Sequence, residues 1–151
     1  DDEAVESGLY SVAWPARFEV LHTDDPWFVL DGGHNPQCAA ALRECLEHYF
    51  PDSKRVALVG VLKDKDYKSI AATLAPLFDA CVCVTPPSER ALPAEELAEL
   101  FKDSCREVCV VDTVEDGVDL ARDIAQEQDA MVCAFGSLYI CGQIRSCFGL
   151  R

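Results

Sequence analysis

The segment DGGHNP, residues 31–36, combines residue types that could do chemistry with a spacing typical of a strand-to-helix turn. Asn35 is a preferred N-cap residue, and Pro36 suits the first position of a helix. The two glycines allow a sharp turn and close approach to a ligand. Neither the turn nor the cap explains Asp31 and His34, which are therefore candidate functional groups beside a helix N-terminus suited to anions.

Two further segments carry cations. WPAR ends at Arg17, where a proline-containing turn would hold a guanidinium, a group suited to phosphate recognition. KDKD, residues 63–66, follows an apolar run and offers Lys63 and Lys65, whereas Asp66 is a natural N-cap for the next helix. Taken alone, each segment is also consistent with a solvated surface loop.

A fourth segment, FGSLY, follows the last apolar run of the chain. Gly136 permits a tight turn, and Ser137 either caps the next helix, which its residue type favours, or offers a hydroxyl to a ligand. Tyr139 either lies in the core or presents its hydroxyl to a cleft.

The sequence contains no GxxxxGK[ST], GxGxxG or GxSxG segment, and its histidine and cysteine spacings do not indicate zinc. Nothing indicates that this domain completes a reaction unaided.

Composition narrows the classes of partner. The chain has 151 residues, enough for one domain, and 50% of them are hydrophobic, enough for a core. Its net charge of −14 repels phosphate backbones and anionic lipid, so we expect neither nucleic acid nor membrane as a partner. The acidic start DDEAVE is unlike a signal peptide, and we expect a cytoplasmic protein. The nine cysteines include no CxxC pair, and we expect most of them to be small buried hydrophobes.

Short apolar runs alternate with amphipathic stretches along the chain. We predict strands at residues 18–22, 27–31, 56–62, 81–85, 108–112 and 130–135, and helices at residues 36–49, 66–78, 94–101, 114–126 and 138–148. Helical crossovers join the last five strands, which favours an α/β fold: an open, mostly parallel six-stranded Rossmann-like sheet with helices on both faces. The first strand would be antiparallel, in a hairpin around TDDP. Ligands of such sheets bind beyond the carboxyl ends of the strands, where all the candidate residues except Arg17 are expected.

The motifs, taken in order, resemble a known family. WPARFEV, then DGGHNP, then KDKD, then GSLY is similar to the C-terminal domain of the folylpolyglutamate synthase/dihydrofolate synthase family, within the Mur ligase superfamily. The resemblance runs from about Gly8 to the C-terminus. The usual family forms are near WPGRFE and DGAHNP, so this chain departs from them at Ala16 and Gly33. The resemblance implies that residues 1–13 lead in from an upstream domain and that residues 14–151 form a Mur ligase C-terminal-type domain.

The resemblance also implies an activity. Enzymes of this family transfer the γ-phosphate of ATP to a substrate carboxylate, and the amine of an incoming glutamate attacks the resulting acyl phosphate. The chain would be the C-terminal lobe of a folylpolyglutamate synthase, with or without dihydrofolate synthase activity, and inactive alone. Its partners would be its own N-terminal ATPase domain, ATP, folate and L-glutamate. The ligands of Mg²⁺ would lie in that N-terminal domain, and we expect a monomer.

Single residues take roles from the same resemblance. Arg17 would contact the phosphates of ATP, and Asp31 would hydrogen-bond the nucleotide. Lys65 falls where relatives carry a basic residue that can pair with the glutamate carboxylates, and His34 is the expected catalytic residue. The expected glutamate-binding residues are His34, Lys65, Ser137 and Tyr139.

Two alternatives stay open at this point. The chain could be the same lobe of another Mur-type amino-acid ligase, such as a peptidoglycan precursor enzyme. Those enzymes tend to have an aromatic residue after the aspartate, as in DYAHNP, so Gly32 together with WPAR favours the folate branch. The other alternative is a stand-alone α/β ligand-binding module, receiver-like or flavodoxin-like, which would need no upstream domain.

Overall fold

Six β-strands form one sheet in the part of the chain that a computed structural model describes, residues 15–23 and 25–150. The strands are β1 (Glu19–His22), β2 (Phe28–Asp31), β3 (Lys54–Val59), β4 (Ala80–Cys83), β5 (Glu107–Val110) and β6 (Ala130–Phe135). Their order across the sheet is β1-β2-β6-β3-β4-β5; β1 and β2 are antiparallel and the other pairs are parallel. The predicted architecture is therefore confirmed. The predicted lead-in, residues 1–13, and Trp14 of the WPAR motif lie outside the described residues.

Five α-helices accompany the sheet within the described residues. They are α1 (Pro36–Tyr49), α2 (Tyr67–Leu74, followed by a 3-10 turn at Ala75–Leu77), α3 (Ala94–Glu99), α4 (Val114–Gln128) and α5 (Leu138–Cys147). The side chains of Asn35, Asp66 and Ser137 each accept a hydrogen bond from a backbone N–H two or three residues further on. These N-caps confirm where the sequence predicted that three helices begin. None of the described helices combines the length and apolarity needed to cross a bilayer.

Both faces of the sheet are buried, which explains the nearly continuous apolar runs of its central strands. Along β6, Met131, Cys133 and Phe135 pack into the core beneath α1, α2 and α3, whereas Val132 and Ala134 pack into the core beneath α4 and α5. The same alternation runs through β3 and β4. The helices therefore cover the central strands on both faces of the sheet.

Two predicted elements end three or more residues earlier in the structure than in the prediction. Strand β3 ends at Val59 rather than at residue 62, because the chain then leaves the sheet and Leu62 pairs instead with Ala91 in an isolated antiparallel bridge. Helix α2 ends at Leu74, because Pro76 has no N–H with which to continue the helical hydrogen bonds. KDKD therefore lies beyond the sheet edge rather than directly on it.

The cysteines largely follow the prediction. All nine are free thiols, and five are buried: Cys81, Cys83, Cys105, Cys133 and Cys141. Burial raises the pKa of Cys105 to about 11 and that of Cys141 to about 12, so both thiols stay protonated at neutral pH. These five residues behave as small core hydrophobes. Cys147 is exposed, and the other three are partly exposed.

Candidate functional site

The five parallel strands end in register along one edge of the sheet. Their last residues are paired across neighbouring strands in the order Asp31, Phe135, Val59, Cys83 and Val110. Neighbouring strands are about 4.8 Å apart, so the loops that follow them start from adjacent points. DGGHNP follows β2, GSLY follows β6, and KDKD follows β3 after a short extension. The sheet order therefore brings three of the predicted segments side by side.

The helices that follow neighbouring strands at this edge pack on different faces of the sheet. Helices α1 and α2, which follow β2 and β3, pack on one face of the sheet, whereas α5, which follows β6, packs on the other. Strand β6 lies between β2 and β3, so neighbouring strands send their helices to opposite faces. Such a topological switch point is where open α/β sheets bind ligands. The turns at residues 31–36 and 136–139 flank the switch point.

Arg17 lies at the same edge, although it precedes a strand rather than following one. Because β1 runs antiparallel to β2, its first residue, Glu19, pairs with Leu30 near the carboxyl end of β2. The loop that enters β1 therefore lies beside the DGGHNP turn. Sequence reasoning set Arg17 apart from the other candidates, and antiparallel pairing brings it among them.

The backbone around Arg17 is held in an unfavourable conformation. The φ angle is 58° at Ala16 and 43° at Phe18, a left-handed region that costs roughly 1–2 kcal/mol for a residue with a Cβ atom. The Ala16 carbonyl accepts a hydrogen bond from the Gly32 N–H at 2.7 Å, and the Phe18 N–H donates to Asp31 Oδ2 at 3.0 Å. The positive φ also gives a physical reason for the glycine that the family pattern carries where this chain has Ala16.

Asp31 organises both loops at once. Its Oδ1 accepts the Gly33 N–H at 2.8 Å, while its Oδ2 accepts the Phe18 N–H. Each carboxylate oxygen has a second lone pair, so a further hydrogen bond to a ligand is chemically available. The direct role of Asp31 in the structure is to join the DGGHNP turn to the loop that carries Arg17, and its contact with a nucleotide stays a prediction.

Replacing Asp31 by alanine is expected to lower the free energy of unfolding by about 2–3 kcal/mol, because two partly buried N–H groups lose their acceptor. His34→Ala is expected to change it by less than about 1 kcal/mol, since the ring makes one long polar contact. Urea unfolding of the two variants measures the difference. Equal stabilities would contradict the structural role assigned to Asp31.

The two glycines of the DGGHNP turn lie close to neighbouring side chains. A Cβ atom on Gly32 would lie 2.5 Å from Leu138 Cδ2, and one on Gly33 would lie 2.6 Å from Cys38 Cβ. The family pattern has alanine where this chain has Gly33, so in this chain the space for that methyl group is taken by Cys38. The turn therefore packs tightly against both α1 and the start of α5.

The three predicted glutamate-binding residues of these two turns differ in exposure. The His34 ring is partly buried, with Nδ1 3.3 Å from the Gly32 carbonyl oxygen. Ser137 is only 1% exposed, and its Oγ accepts the Tyr139 N–H at 3.0 Å. Ser137 is thus the N-cap of α5, as its residue type predicted. Its hydroxyl still has a proton to donate. Tyr139 is 47% exposed and Leu138 is 59% exposed, so the first turn of α5 presents a ring and an apolar side chain to solvent.

The turn after β6 touches the turn after β3. Gly136 has a φ of 114°, and a Cβ atom there would lie 2.5 Å from the Gly60 carbonyl oxygen. The Gly60 N–H in turn faces the Phe135 carbonyl at 3.4 Å. This backbone-to-backbone contact sets the position of Ser137 relative to the chain that continues into KDKD.

The KDKD loop is held by the segment after β4. The Lys63 N–H donates to the Arg90 carbonyl at 2.8 Å, and the Arg90 guanidinium pairs with Asp64 at 2.6 Å. Lys63 is exposed and Lys65 is partly exposed in this loop. The structure thus places two lysines just beyond the carboxyl ends of the strands, in a strongly acidic chain.

Sequence reasoning did not select Glu19 and Arg145. Their side chains form an ion pair at 3.1 Å and are 13% and 16% exposed, and Glu19 also accepts the Ala16 N–H. Glu19 lies within WPARFEV, so the motif itself carried a signal for it. Arg145 is 126 residues away and had no such signal.

Comparisons with a family model and with related proteins agree on one family. Residues 16–138 match the family model described as "Mur ligase, glutamate ligase domain". The chain is 37% identical over 97% of its length to a Halobacterium salinarum protein named "probable bifunctional folylpolyglutamate synthase/dihydropteroate synthase", of which it covers 18%. It is 34% identical over 99% of its length to the dihydrofolate synthase/folylpolyglutamate synthase of Mycobacterium tuberculosis, of which it covers 33%. The chain thus spans about a third or less of the length of these relatives.

Solved structures agree with these alignments. The whole chain superposes on 36% of the length of M. tuberculosis folylpolyglutamate synthase complexed with ADP and AMPPCP. The TM-score is 0.85 and the sequence identity is 31%. It also matches 35% of the Yersinia pestis bifunctional folylpolyglutamate synthase/dihydrofolate synthase complexed with AMPPNP and Mn, with a TM-score of 0.82 and 29% identity. The chain belongs to the Mur ligase family, as a glutamate ligase domain.

Proposed function

We propose that this chain is the C-terminal domain of an ATP-dependent ligase that adds L-glutamate to folates through an acyl phosphate. The observation that carries the proposal is the alignment of 99% of the chain, at 34% identity, with a dihydrofolate synthase/folylpolyglutamate synthase. The folate relatives also favour this branch over the peptidoglycan branch of Mur-type ligases. The switch point supports the proposal independently, because polar residues of the types that such a reaction needs follow the strand ends there.

Within the proposed site, the nucleotide and the glutamate take different groups. Arg17 contacts the phosphates, and Asp31 both shapes the turn and accepts a hydrogen bond from the nucleotide. The glutamate is bound by His34, Lys65, Ser137 and Tyr139. Both ligands are anionic while the chain carries −14, so the local cations at the edge provide the attraction that the whole domain does not. Catalysis would come mainly from positioning and from neutralising charge during phosphoryl transfer.

The magnesium ion of the reaction is proposed to be held by an upstream ATPase domain. Mg²⁺ prefers oxygen ligands, chiefly carboxylates and phosphates. Residues 15–23 and 25–150 contain no group of three or more His, Cys, Asp or Glu side chains arranged to hold a metal ion. The upstream domain would also supply most of the folate site. The intact enzyme is proposed to be a cytoplasmic monomer.

The test is a panel of acceptors assayed with the full-length enzyme. ATP-dependent incorporation of labelled glutamate is expected with tetrahydrofolate, and comparison with dihydropteroate measures the dihydrofolate synthase activity. The 151-residue chain alone is expected to be inactive with or without magnesium. Incorporation only into a peptidoglycan precursor would assign the chain to the other branch. Ligation by the chain alone would contradict the need for an upstream domain.

His34→Ala in the full-length enzyme is expected to raise the KM for glutamate, or to lower kcat, about tenfold, as loss of a hydrogen bond to a charged ligand would. The KM for ATP should change little. Steady-state kinetics with each substrate varied in turn measure both effects. The matched control is His48→Ala, because His48 is exposed in the last turn of α1. Normal glutamate kinetics in the His34 variant would remove this residue from the site.

A further inference from the structure

We propose that Glu19 and Arg145 are positioning residues for Arg17: their ion pair fixes the loop that presents the Arg17 guanidinium at the sheet edge. The inference rests on the proposed function, in which Arg17 contacts the phosphates of ATP. Neither residue needs to touch the nucleotide, because both act through the backbone of Ala16.

The geometry of the pair is that of a fixed, shared carboxylate. Arg145 Nη2 lies 3.1 Å from Glu19 Oε1, and Arg145 Nε lies 3.2 Å from both carboxylate oxygens. Glu19 Oε2 also accepts the Ala16 N–H at 2.9 Å. With side chains only 13% and 16% exposed, the two charges are less screened by water than those of a surface pair. The carboxylate is therefore held in the orientation that the Ala16 N–H requires.

The loop depends on such external support. Arg17 stands between two residues with positive φ, and its own side chain is exposed. The position of Arg17 is therefore determined by its neighbours: Ala16 is bonded through its N–H to Glu19 and through its carbonyl to Gly32, and Phe18 is bonded to Asp31. Two carboxylates thus hold the strained loop from two sides, and backbone strain of this kind persists only where surrounding contacts impose it.

Removing the guanidinium of Arg145 leaves Glu19 as a mostly buried carboxylate without its ion-pair partner. Such a charge gains by moving toward water, because an unpaired buried charge is unfavourable. That movement takes the acceptor away from the Ala16 N–H and allows the loop to relax toward ordinary φ values. The Arg17 guanidinium would then no longer be held in one place, and the effect should appear in ATP kinetics rather than in glutamate kinetics.

The test compares Arg145→Met, Arg145→Lys and Glu19→Gln in the full-length enzyme. Arg145→Met and Glu19→Gln are expected to raise the KM for ATP about fivefold or more, with the KM for glutamate unchanged within about twofold. Arg145→Lys should restore part of the ATP affinity, since an ammonium can pair with one carboxylate oxygen. In an Arg17→Ala background, Arg145→Met should have no further effect on the KM for ATP, as expected of residues that act through one another.

The matched control is Arg55→Met. Arg55 is a partly buried arginine near the amino end of β3, whose guanidinium donates to the Phe50 and Leu77 carbonyls. Its loss should lower Tm and leave the KM for ATP unchanged at temperatures where the enzyme is folded. Should Arg145→Met fail to fold, Glu19→Gln carries the test, because it keeps the size of the side chain.

The outcomes separate this inference from the proposed function. If Arg17→Ala leaves ATP kinetics unchanged, the proposed role of Arg17 is wrong and the positioning role is overturned with it. If Arg17→Ala weakens ATP use while Arg145→Met and Glu19→Gln do not, only the positioning role is overturned. A full effect of Arg145→Met in the Arg17→Ala background also overturns it, since Arg145 would then act by another route.

Discussion

Arg17→Ala in the proposed full-length ligase is expected to raise the KM for ATP, or to lower kcat, about tenfold or more. The reason is the loss of the proposed charge-assisted hydrogen bond to phosphate, a type of bond that typically contributes about 1.5–3 kcal/mol. The structure makes this effect specific. Arg17 lies near the carboxyl end of β2, beside the switch point, in a loop bonded to Asp31 and Gly32 through its two neighbours. Steady-state kinetics with ATP varied at saturating glutamate and folate measure it.

Two further variants make that experiment more specific. Arg17→Lys should recover only part of the loss, because an ammonium cannot reproduce the bidentate geometry of a guanidinium on phosphate. Arg106→Ala removes an exposed arginine at the opposite edge, just before β5, and should leave ATP kinetics unchanged. Wild-type values of both KM and kcat for Arg17→Ala would exclude this residue from the nucleotide site.

Gly136→Ala should lower the free energy of unfolding of the chain by about 3 kcal/mol, with a Tm lower by roughly 10 °C. Two costs add at this position. Gly136 has a φ of 114°, which a residue with a Cβ atom rarely adopts, and the added methyl carbon would lie 2.5 Å from the Gly60 carbonyl oxygen. Because the Gly60 carbonyl belongs to the backbone, the two turns must move apart. This movement would also displace Ser137 and weaken the proposed glutamate addition in the full-length enzyme.

Gly142→Ala is the matched control for that substitution. Gly142 lies within α5, and a Cβ atom there would meet nothing within 4 Å. Alanine is the better helix former by about 1 kcal/mol, so this variant should be as stable as the wild type or more stable. Thermal unfolding of the two variants side by side measures the contrast. Equal Tm values would mean that the Gly136–Gly60 contact is not close-packed.

Local signals predicted the elements well, and their errors have physical causes. The helix starts at Asn35, Asp66 and Ser137 were predictable because an N-cap involves residues only two or three positions apart. The end of β3 was not, because Leu62 leaves the strand to pair with Ala91, a partner distant in sequence. The close approach of Gly33 to Cys38 was not predictable either, because it arises only when the turn is folded.

The sequence alone predicted the α/β class, the burial of both faces of the sheet and the identity of the polar residues at the strand ends. These follow from period, capping and turn chemistry, which act within a few residues. The tertiary structure alone decided which of these residues meet. The placement of β6 between β2 and β3 joins the DGGHNP and GSLY turns, and antiparallel pairing of β1 carries Arg17 to the same edge. Strand order and register depend on contacts between residues far apart in the chain, as does the Glu19–Arg145 pair across 126 positions, and no local pattern encodes them.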